Sequence, residues 1–283
     1  MIKLFASDLD GTLLGITHRV DETVVSTIEK VLDDKRYFTI ATGRTFVNGL
    51  ESVEDRIYKI CQNGAVIYAP NGKVIYHSVL DKDIVEEALN TLSDLGIEYI
   101  DEDKTYQLDS REEIISRMKK RSKIIKIAAF TGDKHIEEFL SKTETSCTKD
   151  YILSKNISKL NYHIASEYER NKIRDFVNKY SDRIINAASS DDMFEITEIH
   201  TNKGEAVKRL ANLLNVKEDE VAVYGDGGND IQMLDMFEHS YSPIDASGAA
   251  KAKAKNIIGP FATYSVCRHI QDTLKEKENV WLH

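Results

Sequence analysis

Ile2-Lys3-Leu4-Phe5-Ala6-Ser7-Asp8-Leu9-Asp10-Gly11-Thr12-Leu13-Leu14 is the stretch on which the reading of this chain turns. Its first part, Ile2 to Ala6, is a short apolar run of the kind that forms a buried strand. Side chains two apart on an extended strand point the same way, so Asp8 and Asp10 are expected to converge at the strand's carboxyl end. Unpaired buried carboxylates are costly, and a bound cation is the natural remedy. Taken alone, Asp-x-Asp-Gly also suits an Asx-type turn entering a Gly-Thr loop. The rest of the chain decides between the two.

Three later segments supply what a cation-centred site would lack. Behind the apolar run Tyr37 to Ala41 comes Thr42-Gly43-Arg44, a hydroxyl and a guanidinium at a strand end, where ligands of open α/β sheets gather. Thr201-Asn202-Lys203-Gly204-Glu205 opens a helical pattern with a lysine in its first turn, a position the helix dipole disfavours for a cation. Val221 to Tyr224 then runs into Gly225-Asp226-Gly227-Gly228-Asn229-Asp230, whose glycines permit backbone conformations that other residues resist.

At these residues the chain resembles the haloacid dehalogenase superfamily, and within it the Cof-type (subclass IIB) phosphatases. The matching segments run from Asp8 to Asp230 in the order expected of that family, and Asn63-Gly64-Ala65 ahead of a hairpin pattern adds a fifth match. Near the end, where many relatives carry a Glu-Asp-Gly-Val-like segment, this chain has Phe261-Ala262-Thr263-Tyr264-Ser265-Val266. The resemblance implies a magnesium-dependent phosphatase. Spacing alone leaves open which aspartate does what; the resemblance makes Asp8 the nucleophile and Asp10 the general acid and then base. It implies Mg2+ held by Asp8, the backbone carbonyl of Asp10 and Asp226, with Asp230 in the outer shell. Thr42 and Lys203 would hold phosphate oxygens, with Gly43 beside them. Asn229 would contact phosphate or brace its loop, and Arg44 would bind substrate or tie the core to the insert.

Strand and helix patterns alternate from residue 1 to about 62, which marks βαβ units and a parallel sheet. The fold class expected is α/β, a Rossmann-like parallel-sheet core with an inserted α+β cap. Ala65 to Ala69 and Lys73 to His77 alternate with period two around Pro70-Asn71-Gly72 and mark the way out of the core. The insert is placed at 81–188 and the core at 1–80 and 189–283. Within the insert, Ile84, Val85, Ala88, Leu89, Leu92 and Leu95 form one helical face and Ile173, Phe176, Val177 and Tyr180 another; 124–130 and Leu160 to Ala165 read as strands. Met193 to Thr197 is expected to return the chain to the core sheet. The basic run Arg117 to Lys123 reads as a solvated helix face.

Composition narrows the function. With 283 residues, 41% of them apolar, the chain can fill two modest cores. A formal charge of −9 argues against nucleic acid or anionic membranes as partners, since binding to either draws on a basic surface. Cys61, Cys147 and Cys267 are odd in number and lack ligand spacing, so all three are expected to be buried and reduced. The first strand begins at once, and no apolar run approaches the ~20 residues of a membrane helix. A cytoplasmic protein with no obligate protein partner is expected, acting on a small phosphorylated metabolite, with a sugar phosphate the leading class. Two alternatives stay open: a phosphomutase or phosphotransferase using the same aspartyl-phosphate, and a non-catalytic metabolite-binding regulator on the same fold.

Overall fold

The computed structural model describes residues 1–45, 47–125 and 133–275, and their side chains apart from those of 121–125 and 133–135. The chain opens with β1 (Leu4–Ser7), α1 (Glu22–Asp33), β2 (Tyr37–Ala41), β3 (Tyr58–Cys61), β4 (Val66–Tyr68) and β5 (Val74–His77). It continues through α2 (Lys82–Thr91), β6 (Glu98–Ile100), β7 (Thr105–Tyr106), α3 (Arg111–Ile125), α4 (Asp133–Ser141), β8 (Thr143–Glu144) and α5 (Lys149–Leu153). β9 (Lys159–His163), α6 (Glu167–Lys179), β10 (Ile184–Asn186) and β11 (Met193–Glu198) follow. Last come α7 (Lys203–Leu213), β12 (Val221–Tyr224), α8 (Ile231–Met236), β13 (His239–Pro243), α9 (Gly248–Lys253), β14 (Asn256–Ile258) and α10 (Ser265–Lys275).

Two compact units result: residues 1–77 with those from Thr201 onward, and Ser78–His200. The first unit holds an eight-stranded sheet in the order β14-β13-β12-β1-β2-β3-β4-β5. Its strands pair in parallel from β14 to β3, and β4 and β5 add an antiparallel edge. The hairpin that the sequence pattern takes as the way out of the core is therefore part of the core sheet.

Both faces of this sheet are covered, and the alternation along each strand shows how. Phe5 of β1, with Ala222 and Tyr224 of β12, packs against Val24, Ile28 and Val31 of α1 and Val266 and Ile270 of α10. Leu4 and Ala6, with Val221 and Val223, pack on the other face against Ala206, Val207 and Leu210 of α7 and Met233 of α8. Strands buried on both faces read as continuous apolar runs, which is why Ile2 to Ala6 and Val221 to Tyr224 stand out in the sequence. α1 begins at Glu22 because the Asp21 carboxylate accepts from the amides of Thr23 and Val24.

The second unit carries a six-stranded sheet in the order β10-β11-β9-β6-β7-β8, antiparallel except for β7 with β8. Tyr99, Leu160, Tyr162, Phe194 and Ile196 of this sheet meet Ile84, Val85, Ala88 and Leu89 of α2 and Ile173 and Phe176 of α6 in one apolar core. One expectation is corrected here. Met193 to Thr197 does not rejoin the core sheet: β11 pairs with β9 and β10, and the chain leaves this unit only after His200. Its apolar residues fill the second core, and a strand's pattern says which face is buried without saying in which sheet. Ile124 and Ile125, read as the start of a strand, end α3, and 126–130 lie outside the described residues. Cys61 and Cys267 are buried and all three thiols are free, but Cys147 is only half-buried. Among the described residues no helix is long and apolar enough to cross a membrane.

Phe38 lies fully buried in β2 and Tyr37 beside it is 39% exposed. Phe38→Ala is expected to lower the unfolding free energy by about 3–5 kcal/mol, and Tyr37→Ala by far less. Urea titration of both variants checks the contrast.

Candidate active site

Strand order reverses at β1: the chain moves to β2 and β3 on one side, and later to β12, β13 and β14 on the other. Ligands of open α/β sheets bind outside the carboxyl ends of the strands at such a switch point. Asp8 is the first residue beyond β1, Asp226 the second beyond β12, and Thr42 the first beyond β2. The Asp8 amide donates to the Tyr224 carbonyl at 2.9 Å and extends the ladder one step past the strands.

Lys203 organises the site. It is the first residue of α7 and fully buried, and its Nζ donates to Asp8 Oδ1 at 2.6 Å and to Asp230 Oδ1 at 2.7 Å. The two carboxylates offset the cost of placing a cation at a helix N-terminus, an arrangement helix propensity cannot explain. Asp230 Oδ2 accepts from the amides of Asp226 at 3.0 Å and Gly227 at 2.9 Å, so this carboxylate braces the loop after β12. Asp226 Oδ1 in turn accepts from the Thr12 hydroxyl at 2.6 Å. Thr12 belongs to the opening motif, and nothing in its spacing betrays this partnership across 214 residues.

Two glycines are required by these close approaches. A Cβ on Gly11, at φ +75°, would stand 2.4 Å from Asp226 Oδ2, and one on Gly225 would stand 2.5 Å from the Asp230 Cβ and Cγ.

Asp8, Asp226 and Asp230 each offer an oxygen, all within 4.8 Å of one another. Burial lifts the Asp8 pKa well above the usual carboxylate range; Lys203 opposes this, and Asp230 and Asp226 add to it. Asp226 is raised to about 6, first by burial and then by Asp230, against the Thr12 hydrogen bond and Lys203. For Lys203 burial acts to lower the pKa, but Asp230 and Asp8 outweigh it and hold the ammonium charged. With all three carboxylates ionised, the one ammonium would leave two negative charges uncompensated, and the raised pKa values of Asp8 and Asp226 reflect burial and then that excess. A divalent cation fits that deficit, and an all-oxygen donor set suits magnesium or calcium rather than softer metals.

The remaining residues fall into two groups. Thr42 is buried; its carbonyl accepts from the Asn63 amide at 2.9 Å and its hydroxyl from the Arg44 amide at 3.2 Å. Asn229 Nδ2 donates to Asn63 Oδ1 at 2.9 Å, which links the loop after β12 to the one after β3. Gly43 lies between Thr42 and Arg44 and has a polar or ionic partner of its own.

Asp10 departs from expectation. β1 ends at Ser7 and the chain turns through Leu9–Leu13, so the period-two rule stops before reaching the second aspartate. The Asp10 side chain is outside the cluster of three carboxylates and is held instead by Arg44, with His18 Nδ1 3.4 Å from its Oδ1. Arg44 thus pairs with Asp10, a residue of the same unit. His18 lies in a loop with no motif around it, and the sequence offers no signal for its place.

An open parallel sheet with a carboxylate and lysine centre at its switch point defines an α/β enzyme fold with a cation-ready site. The chain matches the haloacid dehalogenase-like hydrolase family over residues 5–270 and belongs to that family. Phosphatase YwpJ of Bacillus subtilis is 25% identical over 253 residues, covering 83% of this chain and 86% of the relative. A haloacid dehalogenase-like hydrolase from B. subtilis superposes with a TM-score of 0.79 at 22% identity, over 95% of this chain and 99% of its own. A HAD subclass IIB sugar phosphatase gives a TM-score of 0.75 at 20% identity, over 96% and 98%. At these identities the structural likeness is one of fold.

Lys203→Met is expected to lower stability by about 3–5 kcal/mol, because it leaves two buried carboxylates unpaired; denaturant unfolding measures it. Magnesium in millimolar excess is expected to raise the melting temperature of the parent chain, since a ligand that binds only the folded state stabilises it. Asp226→Asn should remove most of that rise, and an unchanged rise would place the cation elsewhere.

Proposed function

We propose that the chain is a magnesium-dependent phosphatase that hydrolyses a small phosphorylated metabolite, with sugar phosphates the leading class, through an aspartyl-phosphate on Asp8. The observation that carries the reading is the Asp8 carboxylate, held by the buried Lys203 at a strand end beside Asp226 and Asp230. Family membership and the phosphatase name of the B. subtilis relative support it.

Phosphate monoesters hydrolyse so slowly unaided that the enzyme's main task is to stabilise charge on the transferring group. Asp8 attacks phosphorus, and the leaving oxygen departs with a proton from Asp10; water then cleaves the aspartyl-phosphate and gives a proton back to Asp10. Lys203 fixes the attacking carboxylate and offsets charge at the phosphate, and Thr42 offers a hydroxyl to another oxygen. Asp8, the Asp10 carbonyl and Asp226 would hold Mg2+, which would supply the charge that lets an anionic nucleophile approach an anionic phosphate. Asp230, with both oxygens engaged by Lys203 and backbone amides, suits the outer shell.

These groups address only phosphate and metal, so selectivity among esters is assigned to the unit Ser78–His200. A phosphate-release screen across sugar phosphates, nucleotides and cofactor phosphates with magnesium tests the whole reading. Asp8→Asn is expected to keep the fold and retain less than about a hundredth of the parent activity on the best substrate. Greater residual turnover would remove Asp8 from the nucleophile's place.

A further inference from the structure

Asp8 and Asp10 are two residues apart and have entirely different partners. Arg44 Nε donates to Asp10 Oδ2 at 2.8 Å and Nη2 to Oδ1 at 2.5 Å. Such a fork fixes the plane of a carboxylate as well as its position, which a single-point ammonium cannot do. The Arg44 and Asp10 side chains are 37% and 43% exposed, and an ion pair so open to water adds little to stability. Its value lies in orientation.

Arg44 is itself held in place. Its amide donates to Thr42 Oγ1 at 3.2 Å, and its carbonyl accepts from the Gln62 amide at 3.1 Å. His18 closes on the same carboxylate, with its backbone in the left-handed region at φ +50° and its ring 6.2 Å from that of Phe261. One short segment after β2 thus presents a hydroxyl at Thr42 and, two residues on, a clamp on Asp10.

We propose that Arg44 is a positioning residue, whose guanidinium aims the Asp10 carboxyl at the leaving oxygen and does not bind the substrate phosphate. The inference rests on Asp10 being the acid and base of the proposed reaction. As the Asp8 oxygen bonds to phosphorus, the bond from phosphorus to the leaving oxygen breaks. The electron pair stays on that oxygen, and the Asp10 proton converts it to a neutral alcohol. A carboxyl without its clamp turns away from that line, and the deficit grows with the basicity of the leaving oxygen. A nitrophenyl leaving group needs no proton, so its transfer to Asp8, which kcat/KM reports, is insensitive to the aim of Asp10; cleavage of the shared aspartyl-phosphate, where Asp10 is the base, is the same for every ester.

The experiment measures kcat and KM of the full chain with magnesium on alkyl phosphates, phenyl phosphate and dinitrophenyl phosphate. The variants are Arg44→Ala, Arg44→Lys, Asp10→Asn and the double variant Arg44→Ala with Asp10→Asn. Arg44→Ala is expected to lower kcat/KM on alkyl phosphates by about 30-fold or more and on dinitrophenyl phosphate by less than about 3-fold, as loss of acid catalysis in the transfer step dictates. In the Asp10→Asn background the same change should add almost nothing. Arg44→Lys, which keeps the charge and can hold one oxygen, should fall between, and it stands in should Arg44→Ala fail to fold. Added guanidinium should restore kcat/KM of Arg44→Ala on alkyl phosphates while leaving kcat/KM on dinitrophenyl phosphate unaffected.

An equal loss of kcat/KM on every ester, or full additivity with Asp10→Asn, would place Arg44 on the phosphate and overturn the inference. No loss on any ester would overturn it too. If Asp10→Asn is itself indifferent to the leaving group, the acid role of Asp10 fails and takes the inference with it. That result is distinct from a leaving-group-sensitive Asp10→Asn beside an insensitive Arg44→Ala.

Discussion

One buried ammonium between two carboxylates is the constraint around which this site is assembled. Lys203 joins residues that follow β1 and β12 to the first turn of α7, so three segments far apart in sequence must meet within hydrogen-bond distance for any of the charges to be tolerated. Burial of the lysine without Asp8 and Asp230 would be costly, and so would burial of either carboxylate without the lysine. The braces follow from it: Asp230 can hold the amides of Asp226 and Gly227 because its other oxygen is already on Lys203. The result is a rigid cradle with net negative charge, suited to a hard divalent cation.

Much of this was legible in the sequence, for physical reasons. Strands buried on both faces write themselves as apolar runs, so β1, β2 and β12 are evident, and with them the strand ends where Asp8, Thr42 and Asp226 fall. A lysine at a helix start is anomalous enough to suggest a partner, and the partners are there.

What stayed hidden has equally concrete causes. β13 reads His239-Ser240-Tyr241-Ser242-Pro243, with two fully buried serines where an apolar residue is expected. Ser242 donates to the Gly225 carbonyl at 2.9 Å and Ser240 accepts from the Lys255 amide at 3.0 Å, so internal hydrogen bonds replace the apolar pattern. β11 has the right pattern but joins the other sheet, because pairing partners are not encoded in one strand's alternation. The divergence of Asp10 from Asp8 hinges on where β1 stops, and element ends are poorly marked by pattern. The ties from Thr12 to Asp226 and from Asn63 to Asn229 are contacts between loops, which no periodicity reveals.

The place of β12 beside β1 carries a consequence for how the molecule is made. Ser7 pairs with Tyr224, so the central strand must wait for more than two hundred residues to be synthesised before its second neighbour exists. At the usual pace of translation that interval lasts roughly 10 to 40 seconds. Throughout it, β1 presents a bare apolar edge, and the Asp8 carboxylate lacks Lys203. The residues between, Ser78–His200, contain a complete core of their own and can settle in the meantime. A nascent chain halted before Lys203 would therefore hold a second unit with its own core and a half-built first sheet, so the cluster of Asp8, Lys203, Asp226 and Asp230 comes into being only as the last third of the protein arrives.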